Sequence, residues 1–195
     1  MSNSQNSFII IASKLISNIF NPLTSLLVYF VYFSYQHYDW QETLHRLWPI
    51  FLIVALPVSI WILWNVKKGN YSNMDVSNRN QRKSLYVAIA VVMLVYLLVY
   101  YMMNRTIDVV MLYLLILLFL MQISNYFIKS SMHTAFNVIT AGLFFNQDIT
   151  LGILWFVIAA IVGLTRVVLK RHTISEVLMG GFLAAIVSGF YLYFH

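Results

Sequence analysis

The sequence predicts an all-α protein, a polytopic membrane bundle of six to seven transmembrane helices with an N-terminal interfacial amphipathic helix. Three observations predict it. Apolar residues make up 61% of the 195 and charged residues only 9%, against about 45–50% and about 25% in soluble domains. Apolar runs recur along the chain, several approaching the roughly 20 residues that cross a bilayer. The charges gather in short segments between those runs, and no polar block is long enough for a soluble domain. Residues 1–195 are therefore expected to form a single integral membrane domain.

The elements follow in order. In residues 7–20, Ser13, Lys14, Ser17 and Asn18 recur at helical spacing against Ile9, Ile10, Leu15, Ile16 and Ile19. That pattern predicts an amphipathic helix lying in the interface, ended by Asn21-Pro22. A short apolar run, 22–36, comes next. Residues 48–66 form a span with Trp48 and Trp64 as interfacial anchors. A polar loop, 67–84, leads to spans at 85–103 and 109–128, a hairpin around Asn104-Arg105. The break at 129–134 precedes a short span, 135–146, and the last two spans are 151–169 and 176–194. Gly181, Ala185 and Gly189 recur every four residues in the last helix, as do Ala159 and Gly163 before it. Small residues so spaced let helices approach closely.

The absence of cysteine excludes disulfides and thiolate metal sites. The start, MSNSQNS, lacks a basic n-region, so no cleaved signal peptide is expected. The formal charge of +6 is spread over short loops. That distribution suits membrane orientation or an anionic headgroup rather than nucleic acid.

Three polar clusters carry candidate chemistry. If 22–36 crosses, clusters 67–84, 129–134 and 165–176 all follow even-numbered spans and share one face. In the first, Arg79 and Arg82 lie three apart on a helix starting near Ser77, where two guanidinium groups can grip a phosphate. The alternative is a basic loop that only sets topology. In the second, Ser131 precedes His133 by two residues. A hydroxyl can donate to a phosphate oxygen while an imidazole, titrating near pH ~6.5, serves as an acid. The alternative is a histidine held at a helix start. In the third, His172 and Glu176 are four apart, within reach of a carboxylate-to-imidazole contact that leaves the other ring nitrogen as nucleophile. Thr173 and Glu176 also match a capping box, and Arg166 can snorkel to the interface.

These residues resemble the type-2 phosphatidate phosphatase family of membrane lipid phosphatases, related to vanadium haloperoxidases. The family's third motif, Ser-Arg-x5-His-x3-Asp, reads here Thr165-Arg166-VVLKR-His172-TIS-Glu176. Its second, Pro-Ser-Gly-His, reads Ser130-Ser131-Met132-His133. Its first, Lys-x6-Arg-Pro, has only loose counterparts in Lys68, Arg79 and Arg82. The resemblance spans about residues 65–190. It implies a phosphatase-like region with catalytic His172, His133 and Glu176. Arg166, Ser131, Arg79, Arg82 and Lys68 would bind phosphate, and no metal or other cofactor takes part. His172 would attack phosphorus, Glu176 would orient it, and His133 would protonate the leaving oxygen. The implied substrate is a lipid monophosphate or diphosphate, such as a polyprenyl diphosphate or phosphatidate.

Two other function classes compete. A catalytically silent relative would bind phospholipid headgroups or a membrane partner, a reading that Met132 in place of glycine favours. A transporter would need polar residues along a bilayer-deep path, whereas Gln122, Ser124 and Asn125 lie near a helix end. Basic residues concentrate on the motif face, leaving Arg46 and Arg105 on the other. The bias predicts an integral protein of the cytoplasmic (inner) membrane with its motif face in the cytoplasm.

Overall fold

The computed structural model describes residues 2–195, with side chains described from Ser7 onward. Among the described residues all regular structure is helical: α1 (Ser2–Ile19), α2 (Pro22–His37), α3 (Trp40–Pro49), α4 (Leu56–Lys67), α5 (Arg79–Asn104), α6 (Val109–Ser124), α7 (Met132–Phe145), α8 (Ile149–Val168) and α9 (Ile174–Phe194). Four stretches among the described residues are long and apolar enough to cross a membrane: Trp40–Lys67, Arg79–Asn104, Ile149–Val168 and Ile174–Phe194. A fifth is available if the pair Ser7–Ile19 and Pro22–His37, bent by 50°, counts as one broken span. The chain divides into two compact units, Met1–Phe33 with Ile128–His195, and Ser34–Phe127.

In the first unit α7 is central. It packs against both α8 and α9, and α1 lies on α8. Nearly every residue of α7 from His133 to Phe144 is buried. The contact with α9 is close because Gly142 faces Ser188, whose Cβ stands 2.6 Å from where a Cβ on Gly142 would lie. An aromatic cluster closes one end, with Phe144 against Tyr29, Tyr32 and Trp155.

The first unit inverts the polarity of a soluble fold. Ser13, Ser17, Ser25, Thr134, Asn137, Thr140, Arg166 and Ser188 are buried, while Phe8, Ile11, Leu15, Phe156, Leu178 and Phe182 are exposed. Apolar side chains facing outward over buried polar groups are the pattern of a membrane-associated helical protein. In α1 the polar face divides: Ser13 and Ser17 are buried, while Lys14 and Asn18 are exposed. The small-residue stripe of α9 is displaced by one residue. Gly180, Ala184 and Ser188 are buried, while Ala185 and Gly189 are exposed. In α8, Ala159 and Gly163 are buried as expected.

In the second unit α3 and α4 are continuous through a six-residue π-helical stretch, Ile50–Ala55. Pro49 and Pro57 each remove an intrahelical donor. The turns between them widen, so that Leu56 N–H donates to Phe51 O. Asn78 caps α5 and Asp108 caps α6. The Tyr96 hydroxyl donates to Asp108 at 2.8 Å, joining α5 to the start of α6. The loop after α4 is ordered by burial of Tyr71, whose hydroxyl oxygen accepts from Trp61 Nε1 at 3.0 Å.

Candidate functional site

The site begins where α7 starts. Ser131 caps the helix, its Oγ accepting from Thr134 N–H at 3.4 Å and from the Thr134 hydroxyl at 3.0 Å. Its own N–H donates to Glu176 O at 2.9 Å, so the start of α7 lies on the first turn of α9. Gly180 permits that approach, since a Cβ there would stand 2.6 Å from Ser131 O. Ser130, Ser131 and His133 are all buried.

The end of α8 supplies the other wall. Lys170 adopts φ +53°, a left-handed conformation that costs a non-glycine residue about 1–2 kcal/mol. The turn satisfies helix-end carbonyls. Lys170 N–H donates to Val167 O at 2.9 Å, and Arg171 and His172 N–H both reach Arg166 O, at 3.0 and 3.2 Å. This is the Schellman pattern, and it folds the chain so that α9 starts immediately afterwards. Thr173 and Glu176 form the expected capping box.

Glu176 does more than cap. Its Oε2 lies 2.8 Å from His172 Nδ1, accepts from Thr173 N–H at 3.2 Å, and stands 3.5 Å from Lys129 Nζ. The His172 side chain is fully buried. In a neutral ring beside a carboxylate the proton sits on Nδ1, leaving Nε2 with its lone pair. Lys129 also donates to Arg171 O at 3.1 Å, joining the residue before Ser130 to the segment before His172. Ser131, His133, Arg166, His172 and Glu176 thus lie at one end of a single compact unit. Arg166 is 1% exposed, and its Nη1 donates to Ser17 Oγ at 2.7 Å.

Three participants escaped the sequence reading. Lys129 stood in the second cluster without a role. Ser17 was one of four polar residues on the face of a helix expected to lie in the interface. Asn137 lies in the middle of α7, and its Nδ2 donates to His133 O at 2.8 Å and to Phe20 O at 2.9 Å. Its signal was available, since an amide inside a short apolar span requires partners.

Lys68, Arg79 and Arg82 belong to the second unit. Lys68 Nζ sits 3.9 Å from the centre of the Trp64 ring. Arg79 Nε donates to Asn125 O at 2.6 Å, and Asn125 Nδ2 returns a bond to Arg79 O at 3.2 Å. Arg82 is buried, with Nε donating to Val76 O at 2.9 Å. The two arginines three apart thus send their Nε atoms to different backbone carbonyls.

Comparison of the chain with protein-family models, with curated proteins and with solved structures finds no match.

Proposed function

We propose that this chain is a membrane-embedded lipid phosphatase, a divergent relative of the type-2 phosphatidate phosphatases, acting through a phosphohistidine. The supporting observation is the His172–Glu176 pair at 2.8 Å, held beside the start of α7 by the Ser131 N–H to Glu176 O bond. Local sequence could produce the pair alone. It could not bring the Ser131-to-His133 segment, about 40 residues earlier, against the same turn.

The chemistry then runs as follows. His172 Nε2 attacks phosphorus as the bond to the lipid oxygen breaks, and Glu176 stabilises the charge growing on the ring. His133, protonated, gives its proton to the leaving oxygen. It then takes a proton from water as the hydroxide attacks phosphorus. Phosphate leaves, Nε2 regains its lone pair, and both histidines return to their starting states. Arg166 and the Ser131 hydroxyl stabilise the phosphoryl oxygens. The lipid tail stays in hydrocarbon while its headgroup meets the polar end of the unit.

Six or seven crossings suit this reading. They need the broken α1–α2 pair and the shorter α6 and α7 to reach across. At 14 residues, α7 is about 21 Å long, less than the roughly 30 Å of hydrocarbon. It is buried in protein, so its ends need not meet the lipid headgroups. The excess of basic residues favours a cytoplasmic motif end.

Full burial of the His172 ring favours a second reading, a silent relative that binds headgroups without turnover. The two separate in one assay. Purified protein is expected to release inorganic phosphate from a lipid phosphomonoester or diphosphate in detergent without added metal, and His172→Ala to abolish release. Binding without release supports the silent relative, and undiminished release by His172→Ala removes the nucleophile from the scheme.

A further inference from the structure

The break between α1 and α2 is held from both sides by helices that carry the site. Ser17 lies on α1 one turn before the break, with its Oγ 2.7 Å from Arg166 Nη1 on α8. Both residues are 1% exposed, and 149 positions of sequence separate them. At the break itself, Pro22 offers no N–H to Asn18 O, which accepts instead from Asn21 Nδ2 at 2.8 Å; Thr24 N–H turns to Asn21 Oδ1, and Phe20 O accepts from Asn137 Nδ2 of α7 at 2.9 Å. The same amide nitrogen donates to His133 O at 2.8 Å, and Asn137 Oδ1 accepts from Ser25 Oγ, one turn into α2, at 2.9 Å. Asn21 caps α2 through bonds to Leu23 and Thr24 N–H at 3.0 and 3.1 Å. The bend is therefore a bonded joint. Its carbonyl is satisfied by the helix bearing His133, and its hydroxyl by the arginine of the third motif.

A guanidinium is planar, with five N–H donors in a fixed fork. Fixing one nitrogen with a buried acceptor sets the plane in which the remaining donors point. An alanine at 17 would fill nearly the same volume but supply no acceptor. Packing against α8 therefore does not explain the hydroxyl, whereas orientation of Arg166 does. Ser13, one turn earlier on the same buried face, is the internal comparison.

We infer that the α1–α2 joint is a wall of the anion site and that Ser17 is its positioning residue, setting the Arg166 fork to receive a phosphoryl oxygen. The inference rests on the anion-binding part of the phosphatase reading and is independent of the nucleophile.

The test is titration of purified protein in detergent with inorganic phosphate, alongside kinetics of phosphate release from a lipid phosphomonoester. Ser17→Ala is expected to weaken phosphate binding about tenfold and to raise KM more than it lowers kcat. Ser17→Thr should restore both, and Ser13→Ala should leave both unchanged. Phosphate affinity in Ser17→Ala within twofold of wild type overturns the inference, as does an equal loss in Ser13→Ala. If Ser17→Ala does not fold, Ser17→Cys, nearly isosteric with a poorer acceptor, carries the test, and wild-type affinity there overturns the inference. Wild-type protein that binds phosphate but hydrolyses no lipid phosphate ends the hydrolase reading, while the affinity ratio still decides the role of Ser17. Wild-type protein that binds no phosphate overturns both.

Discussion

Replacing Glu176 by glutamine separates a helix cap from an orienting carboxylate. Glutamine keeps the side-chain length, can accept from Thr173 N–H, and can still accept the proton on His172 Nδ1. Only the charge is lost. In attack on phosphorus the ring gains positive charge, and Glu176 Oε2 lies 2.8 Å from Nδ1. Two full charges at that distance interact by about 6 kcal/mol at an effective dielectric of about 20. With half the charge developed at the transition state, the loss is about 3 kcal/mol, or about 150-fold in kcat. Affinity should behave differently. Lys129, 3.5 Å from the same oxygen, loses its negative partner, so KM for an anionic substrate is expected to hold or fall. The assay is the initial rate of phosphate release across substrate concentration, with thermal unfolding in the same detergent to confirm the fold. A kcat within threefold of wild type would refute the reasoning and reduce Glu176 to a helix cap.

Two further outcomes follow from the geometry. Gly180→Ala places a methyl 2.6 Å from Ser131 O. Backbone cannot yield as a flexible side chain can, so the variant is expected to lose about 1–3 kcal/mol of stability and more activity than a substitution at the exposed Gly189; unchanged thermal unfolding would count against the close approach. Asp148 caps α8, and the Leu151 and Thr150 N–H groups that donate to its Oδ1 hold its carboxyl below the usual range. Because its folded pKa is depressed, the capping contribution is present above the unfolded value of about 3.9 and is lost as pH falls through the folded value. Asp148→Asn keeps a capping oxygen without titrating, so its unfolding temperature should fall less than that of wild type below about pH 4; parallel pH curves would contradict this.

Much of the fold was legible because it is local. The start of α9 at Thr173 followed from cap chemistry, the helix expected to start near Ser77 begins at Arg79, and the His172–Glu176 contact and the capping box both followed from a spacing of one helical turn. The facing of helices was harder to read. Periodicity identified the polar face of α1 but could not say which of its residues meet protein, and the structure buries Ser13 and Ser17 while Lys14 and Asn18 stay exposed. The stripe of α9 was misplaced by one position because Gly180 and Gly181 are adjacent, and only contact with Ser131 distinguishes them.

The sequence by itself determined composition, helix content and the short-range pairs, since hydrogen bonding and side-chain spacing along one helix depend only on near neighbours. Tertiary structure decided that Lys129 reaches Glu176, that Ser17 holds Arg166, and that Asn137 ties the break at Phe20 to His133. Those contacts join residues up to 149 positions apart. Which distant partner satisfies a buried polar group depends on how helices stack, and a linear pattern of residue types does not encode that choice in a form that can be read position by position.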